Sequence, residues 1–188
     1  EESGNHNGFS KMHERGMESR SDLVYMTNDD FLHTPEAVEQ ICETWQLFNQ
    51  RFVGPIALDV LDDPDNYGEV NIVHQCRILP GPDRPWRTNH HTTSSFVIEP
   101  CAFKAYRRPF QELTRGYGHN GVTPDTTINP LWLRGDITLF TPLVPLAYHL
   151  NENTHPYYDL TDLWENMKTY EHKEKSLCQS YTRTLSMA

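Results

Sequence analysis

The sequence predicts an α+β fold with a small, mostly antiparallel sheet, two main amphipathic helices, and long proline-containing loops and arms. Two segments repeat apolar residues at the three- and four-residue spacing of one helix face, and another alternates residues as a strand does. The 188 residues include 13 prolines and 10 glycines, and only 37% are hydrophobic. This composition favours a modest core with long irregular connections.

Residues 1–22 are expected to be a polar N-terminal extension, and residues 23–188 a single α+β domain. The extension mixes charged residues with Gly and Ser and holds almost no aliphatic side chains, so it cannot bury enough surface to fold alone. We therefore expect packing, on the same globule or on another chain, to order it. A chain that starts at Glu1 rather than Met indicates a processed product or a fragment.

The first predicted helix covers about residues 35–52. Pro35 follows a capping Thr34, and Gly54 with Pro55 ends the pattern. The spacing of its apolar residues predicts a core-facing seam formed by Val38, Ile41, Trp45, Phe48 and Phe52. The alternative is a seam that packs on a helix of a partner.

Strands are predicted in the middle of the chain. Residues 69–79 alternate in the manner of a strand, which places His74 and Cys76 on the inward face. Two further strands are predicted at 94–98 and 101–106, separated by a proline that favours an edge position or a bulge.

The last third of the chain predicts a loop, short extended pieces and a helix. Residues 111–130 are too long and polar for a simple turn and predict an ordered surface loop. Residues 131–150 predict short extended apolar pieces punctuated by proline. A second amphipathic helix is predicted over about residues 160–181.

Charge is distributed unevenly along this acidic chain, whose formal net charge is -10. Residues 77–115 hold seven basic against three acidic residues, whereas the rest of the chain holds nine basic against twenty-three acidic ones. This split predicts a basic patch that meets an acidic protein surface or anionic lipid head groups. The alternative is that the arginines pair with the chain's own carboxylates. Nucleic acid is disfavoured, because the net negative charge opposes binding to phosphates.

The stretch DRPWRTNHH at 83–91 is the candidate interface within this basic region. Its prolines favour an extended backbone, and tryptophan with arginine is the pairing most enriched at interface hot spots. We expect residues 80–91 to lie as an arm on another chain or an anionic ligand, with Trp86 as the anchor. The predicted interface or anion-binding residues are Arg84, Trp86, Arg87, Arg107 and Arg108.

Histidines are the weak candidates for a metal site. Imidazoles with a carboxylate such as Glu99 suit zinc or non-haem iron. The histidines in question are His74, His90, His91 and His119. Adjacent histidines on a strand point to opposite faces, and the four cysteines form no C-x-x-C pair. We predict no bound metal and no cofactor.

No catalytic motif supports an enzyme, because G-x-S-x-G, the Walker and Rossmann glycines and the kinase signatures are all missing. No apolar run is long enough to span a bilayer. The predicted function is a non-catalytic accessory or scaffolding subunit that binds other protein subunits, with a membrane-associated complex of mitochondria as its setting. The alternatives are a small histidine-based metal-dependent enzyme or metal-binding module, and a viral or secreted structural protein.

Overall fold

The computed structural model describes residues 4–28, 30–62, 76–92, 95–116 and 121–149, and of residues 4–10 only the backbone. The helices in this part are α1 (Gly4–Glu18), α2 (Ala37–Arg51), α3 (Pro100–Ala105), α4 (Arg107–Gly116), α5 (Pro124–Thr127) and α6 (Asn129–Arg134). The strands are β1 (Val24–Met26), β2 (Phe31–His33), β3 (Ile56–Leu58), β4 (Ile78–Pro80), β5 (Pro85–Asn89), β6 (Phe96–Ile98), β7 (Thr138–Pro142) and β8 (Ala147–His149).

The described strands form a mixed sheet of six strands in the order β1-β6-β3-β7-β5-β4, beside a two-stranded antiparallel sheet of β2 and β8. Within the larger sheet β3 and β7 run parallel, and the other neighbours are antiparallel. The predicted α+β class with a mostly antiparallel sheet is therefore confirmed. None of the described helices has the length and hydropathy needed to cross a bilayer.

Both faces of the central strands β3 and β6 are buried. Ala57 and Phe96 belong to an apolar cluster with Phe103 and Trp132, on the face covered by α1, α3, α4 and α6. Their chain neighbours, such as Leu58 and Val97, belong to a second cluster on the opposite face, which α2 covers. Because successive strand residues point to opposite faces, these central strands are apolar at every position instead of alternating.

Helix α2 confirms the first predicted helix, but its buried face is rotated from the predicted seam. The residues of α2 that are buried are Ala37, Ile41, Thr44 and Phe48. Val38 is 70% exposed, so its place in the core-facing seam was wrong. Trp45 and Phe52 are half-buried beside the core. The buried face of α2 therefore includes Thr44, and Val38 lies beside that face, in solvent.

The strand predicted at 101–106 is wrong, because Pro100 is the first residue of helix α3. Proline has no amide hydrogen to donate, so it is well tolerated at the first helical position. The surface loop predicted at 111–130 is also wrong for much of its length, since α4 continues to Gly116 and α5 begins at Pro124. Prolines that suggested breaks in the chain are here the starts of helices.

The remaining predicted elements are confirmed in part. β6 lies within the strand predicted at 94–98, and β7 and β8 lie within the extended region predicted at 131–150, although α6 occupies its first residues. Of the strand predicted at 69–79, residues 69–75 fall outside the described residues, and the chain is extended at β4. The helix predicted at 160–181 also lies outside them.

Candidate functional site

The predicted interface stretch at 83–91 is an internal part of the sheet. β5 pairs with β4 on one side and with β7 on the other. Trp86 is 0% exposed, and its ring packs edge-on against that of Phe48 with the ring centroids 6.1 Å apart. The prediction of an arm anchored on a partner by Trp86 is therefore wrong, because a side chain without accessible surface has none to offer a second chain.

Arg84 serves contacts within the chain. Its Nη1 donates to the backbone carbonyls of Val144 at 2.8 Å and Pro145 at 2.9 Å, and its Nη2 lies 3.5 Å from Oε1 of Glu36. These contacts tie the connection between β7 and β8 to the start of α2. For Arg84, pairing inside the chain is what the structure supports.

Arg87 is also used internally. It is 6% exposed, and its Nη2 lies 3.3 Å from Oδ1 of Asp62. Its Nη1 is 3.8 Å from the sulfur of Cys76. A guanidinium buried against a carboxylate is costly to uncouple, because the remaining charge would be buried without its partner. Arg87 therefore stabilises the fold and is not exposed to an external anion.

Arg107 and Arg108 differ from these two arginines because both are exposed. They occupy the first turn of α4, where the helix dipole disfavours positive charge by roughly 0.3–1 kcal/mol. The stability of α4 therefore does not explain their presence. Their role as interface or anion-binding residues stays a prediction.

His91 belongs to a hydrogen-bonded network that joins the end of β5 to the helices α5 and α6. Its Nε2 lies 3.1 Å from Oδ1 of Asp125, which also accepts a bond from Nδ2 of Asn129 at 2.8 Å. Oδ1 of Asn129 in turn accepts a bond from the backbone N–H of Thr92 at 3.1 Å. The imidazole of His91 thus helps to hold the chain after β5 against the starts of α5 and α6.

His90 contacts a different part of the molecule. Its Nδ1 lies 3.5 Å from the carbonyl oxygen of Trp132, away from the Asp125 pair of His91. The described ranges contain no group of three or more His, Cys, Asp or Glu side chains arranged to hold a metal ion. His74 and His119, the other two metal candidates, lie outside those ranges.

The feature that sequence analysis missed is a groove of about 590 Å³ between α1 and β1, which we call the β1 groove. One wall is a single face of α1, and the other is the segment 23–26. The lining residues are Lys11, Met12, Arg15, Gly16, Ser19, Ser21, Leu23, Val24, Tyr25 and Met26. Consecutive strand residues point to opposite faces, so a groove lined by four in a row runs along the backbone of the strand.

The outer backbone edge of β1 is unpaired among the described strands. In the sheet order of the described residues β1 is terminal and pairs with β6 alone. An edge strand presents backbone N–H and C=O groups that another extended chain is able to bind. The β1 groove thus combines these backbone groups with the charges of Lys11 and Arg15, both of which are exposed.

Close packing holds α1 against the sheet beside the β1 groove. His13 is 1% exposed, with its ring 5.4 Å from that of Phe103 and 5.9 Å from that of Phe110. A Cβ added to Gly16 would lie 2.9 Å from Cε1 of Phe103 and 3.0 Å from the sulfur of Met26, so glycine permits the close approach of helix and strand. The wall that α1 contributes to the groove is therefore held in place by buried contacts.

Tyr25 fixes the middle of β1 to β2. Its hydroxyl lies 2.7 Å from Nε2 of His33. Burial raises the pKa of Tyr25 to about 12, with the negative charge of Asp59 adding to the rise and a hydrogen bond with Thr27 opposing it. Burial also lowers the pKa of His33. At neutral pH both groups are therefore uncharged, and a neutral hydrogen bond joins the tyrosine hydroxyl to the imidazole.

A second cavity of about 450 Å³, the Trp45 cavity, adjoins the β1 groove at Leu23. It lies between α2 and the start of β1. Its lining residues are Asp22, Leu23, Cys42, Trp45, Gln46 and Glu99. The two depressions thus differ in charge, since the Trp45 cavity has two carboxylates where the β1 groove has two cations.

A signal for the β1 groove was present in the sequence. Met12, His13, Gly16 and Met17 recur at the spacing of one helix face, and Lys11 with Arg15 lie one turn apart beside them. The scarcity of aliphatic residues in the segment 1–22 concealed this pattern, because the helix packs through methionine, histidine and glycine.

No protein-family model matches the chain, and no curated protein or solved structure is similar enough to count as a match.

Proposed function

We propose that the chain is a non-catalytic accessory or scaffolding subunit of a multi-protein complex, and that a partner protein binds in the β1 groove. The observation that carries the proposal is the β1 groove beside a strand whose outer backbone edge is unpaired among the described strands. Natural proteins cover such edges, or use them to add a strand from a partner. A subunit whose task is to hold a neighbouring chain requires a surface of this kind.

The chemistry of the other polar residues supports a binding role over catalysis. Arg84 bonds to backbone carbonyls of the chain, Arg87 pairs with Asp62, and His91 pairs with Asp125, so each of these side chains has a partner within the fold. A nucleophile beside a base, or a carboxylate pair around an open cleft, is the arrangement that catalysis needs. The side chains around the β1 groove offer cations and hydroxyl groups, which suit recognition of a partner.

The proposal is tested by blocking the groove in cells that produce the protein. Ser21 lines the groove and is exposed, and its backbone N–H donates to Oγ of Ser19, a bond that survives a change of side chain. We expect Ser21→Trp to fill the groove and release the chain from its complex. Val53, which is 105% exposed and does not line the groove, provides the matched Val53→Trp control.

The measurement is sedimentation of the tagged chain under gentle conditions, followed by native mass spectrometry. Wild type and Val53→Trp are expected to sediment with partner proteins in constant stoichiometry, and Ser21→Trp as the chain alone. Wild-type protein that sediments as a single chain would contradict the scaffolding role. A complex that Ser21→Trp leaves intact would contradict the choice of groove.

The predicted setting, a membrane-associated complex of mitochondria, belongs to the proposal as well. Fractionation of the same cells tests it, since the chain and its partners are then expected in the mitochondrial membrane fraction. Recovery of the complex in any other fraction would reject this compartment and leave the scaffolding role standing.

A further inference from the structure

The wall formed by β1 selects an extended backbone as the occupant of the β1 groove. The outer edge of a strand offers N–H and C=O groups in alternation along its length. A helical segment has already used its own backbone groups in internal hydrogen bonds, so it has none left to pair with such an edge. An extended segment has free groups in the same repeat and completes the pairing.

The wall formed by α1 selects the charge of that segment. Lys11 and Arg15 are both exposed, and none of the described residues that line the groove is acidic. Four residues of a helix rise by about 6 Å, and alternate side chains of a strand are about 6.6 Å apart. Two acidic residues separated by one position on an extended segment therefore match the spacing of the two cations.

The size of the β1 groove and the negative charge of the adjacent Trp45 cavity limit the length of the acidic segment. β1 has three residues, and the groove of about 590 Å³ extends along four residues of chain from Leu23 to Met26. At about 3.3 Å per residue, a segment of four residues covers roughly 13 Å. Beyond Leu23 the Trp45 cavity presents Asp22 and Glu99, which repel further acidic residues on that side.

We infer that the β1 groove binds an extended acidic segment of a partner protein, which adds to the sheet as a strand beside β1 and turns alternate carboxylates toward Lys11 and Arg15. This inference rests on the proposed function and names the class of partner. The backbone pairing supplies affinity, and the two cations supply the choice of sequence.

A labelled peptide provides the test. The probe is a fluorescein-labelled octapeptide of alternating Glu and Val, measured by fluorescence anisotropy on the full chain at low salt. We expect saturable binding, and a Kd about tenfold weaker for the double variant Lys11→Glu with Arg15→Glu. Each exposed ion pair contributes roughly 1.4- to 5-fold to the affinity, and the reversed charges add repulsion. The same variant should gain affinity for the corresponding Lys and Val octapeptide.

The matched control reverses the same number of charges outside the groove. Arg107→Glu with Arg108→Glu changes two exposed arginines of α4 that do not line it. This variant should keep the wild-type Kd for the acidic probe. A melting curve for each variant shows that it is folded, and a variant of Lys11→Gln with Arg15→Gln replaces the reversal if the latter unfolds.

Backbone pairing is tested separately with acidic octapeptides N-methylated at alternate residues, in the two registers. One register removes the N–H groups that face β1 and is expected to abolish binding, whereas the other should retain it. Equal binding of both registers, full displacement by millimolar inorganic phosphate, equal loss of affinity in the α4 control, or no binding of the acidic probe would each overturn the inference. If the probe fails while the native complex still depends on Ser21, the scaffolding role stands and only the class of partner is wrong.

Discussion

Replacement of Trp86 by alanine is expected to destabilise the domain by about 4 kcal/mol. Trp86 is 0% exposed, and a buried aromatic side chain removes roughly 150–250 Å² from water, which corresponds to about 4–6 kcal/mol at 25 cal/mol per Å². Truncation of large core residues costs about 3–5 kcal/mol, because the site collapses in part around the cavity. A typical domain has only about 5–15 kcal/mol of stability to lose.

The assay is urea unfolding followed by far-ultraviolet circular dichroism, which does not depend on the fluorescence of the residue removed. Trp86→Phe is the informative second variant, since it retains most of the apolar area and removes an indole N–H that has no hydrogen-bond partner among the described residues. Its cost should be well below that of Trp86→Ala. Val38→Ala, at a position that is 70% exposed, should change the free energy of unfolding by less than about 0.5 kcal/mol.

Two outcomes would refute this reasoning about Trp86. A loss below about 1 kcal/mol for Trp86→Ala would show that the residue is not enclosed by the core. The second outcome concerns the double variant of Trp86→Ala with Arg87→Ala. If it keeps the circular dichroism and melting temperature of wild type but no longer binds a partner, the interface role that the sequence suggested would be restored.

The remaining predictions concern pH and two glycines. Burial lowers the pKa of His13 to about 4, although a hydrogen bond with the backbone of Phe110 opposes the shift. The unfolded chain therefore takes up a proton below its ordinary pKa of 6.5 while the native chain does not, and the free energy of unfolding should fall by about 3 kcal/mol as the pH drops from 6.5 to 4. Urea titrations across this range should show the loss in wild type and little of it in His13→Leu; a flat wild-type profile would contradict the burial of the ring. Gly81→Ala would place a Cβ 2.5 Å from Cδ1 of Trp86 and 2.6 Å from the backbone oxygen of Arg84, so calorimetry should show a loss of about 1–3 kcal/mol that Trp86→Ala relieves only in part in the double variant. Gly135→Ala meets no atom within 4 Å but has φ of +73°, so it should cost about 1 kcal/mol, and Gly135→Asn should cost less; equal costs would contradict a conformational cause.

The sequence by itself determined the fold class and the helix at 35–52. Amphipathic periodicity is a local property, and the spacing of Ile41 and Phe48 predicts a helix whatever lies against it. Periodicity did not predict the exact buried face. The contact with the sheet buries Thr44 and leaves Val38 exposed, and that contact is not a local property of the sequence.

The tertiary structure alone decided which residues were available for function. Trp86 and Arg87 are residue types common at interfaces, but their exposure depends on β7 and α2, which come from distant parts of the chain. The β1 groove depends in the same way on the packing of α1 against β1. Residue type and spacing determine local conformation, whereas burial and open strand edges follow from contacts between segments far apart in sequence, and a single sequence does not state those contacts.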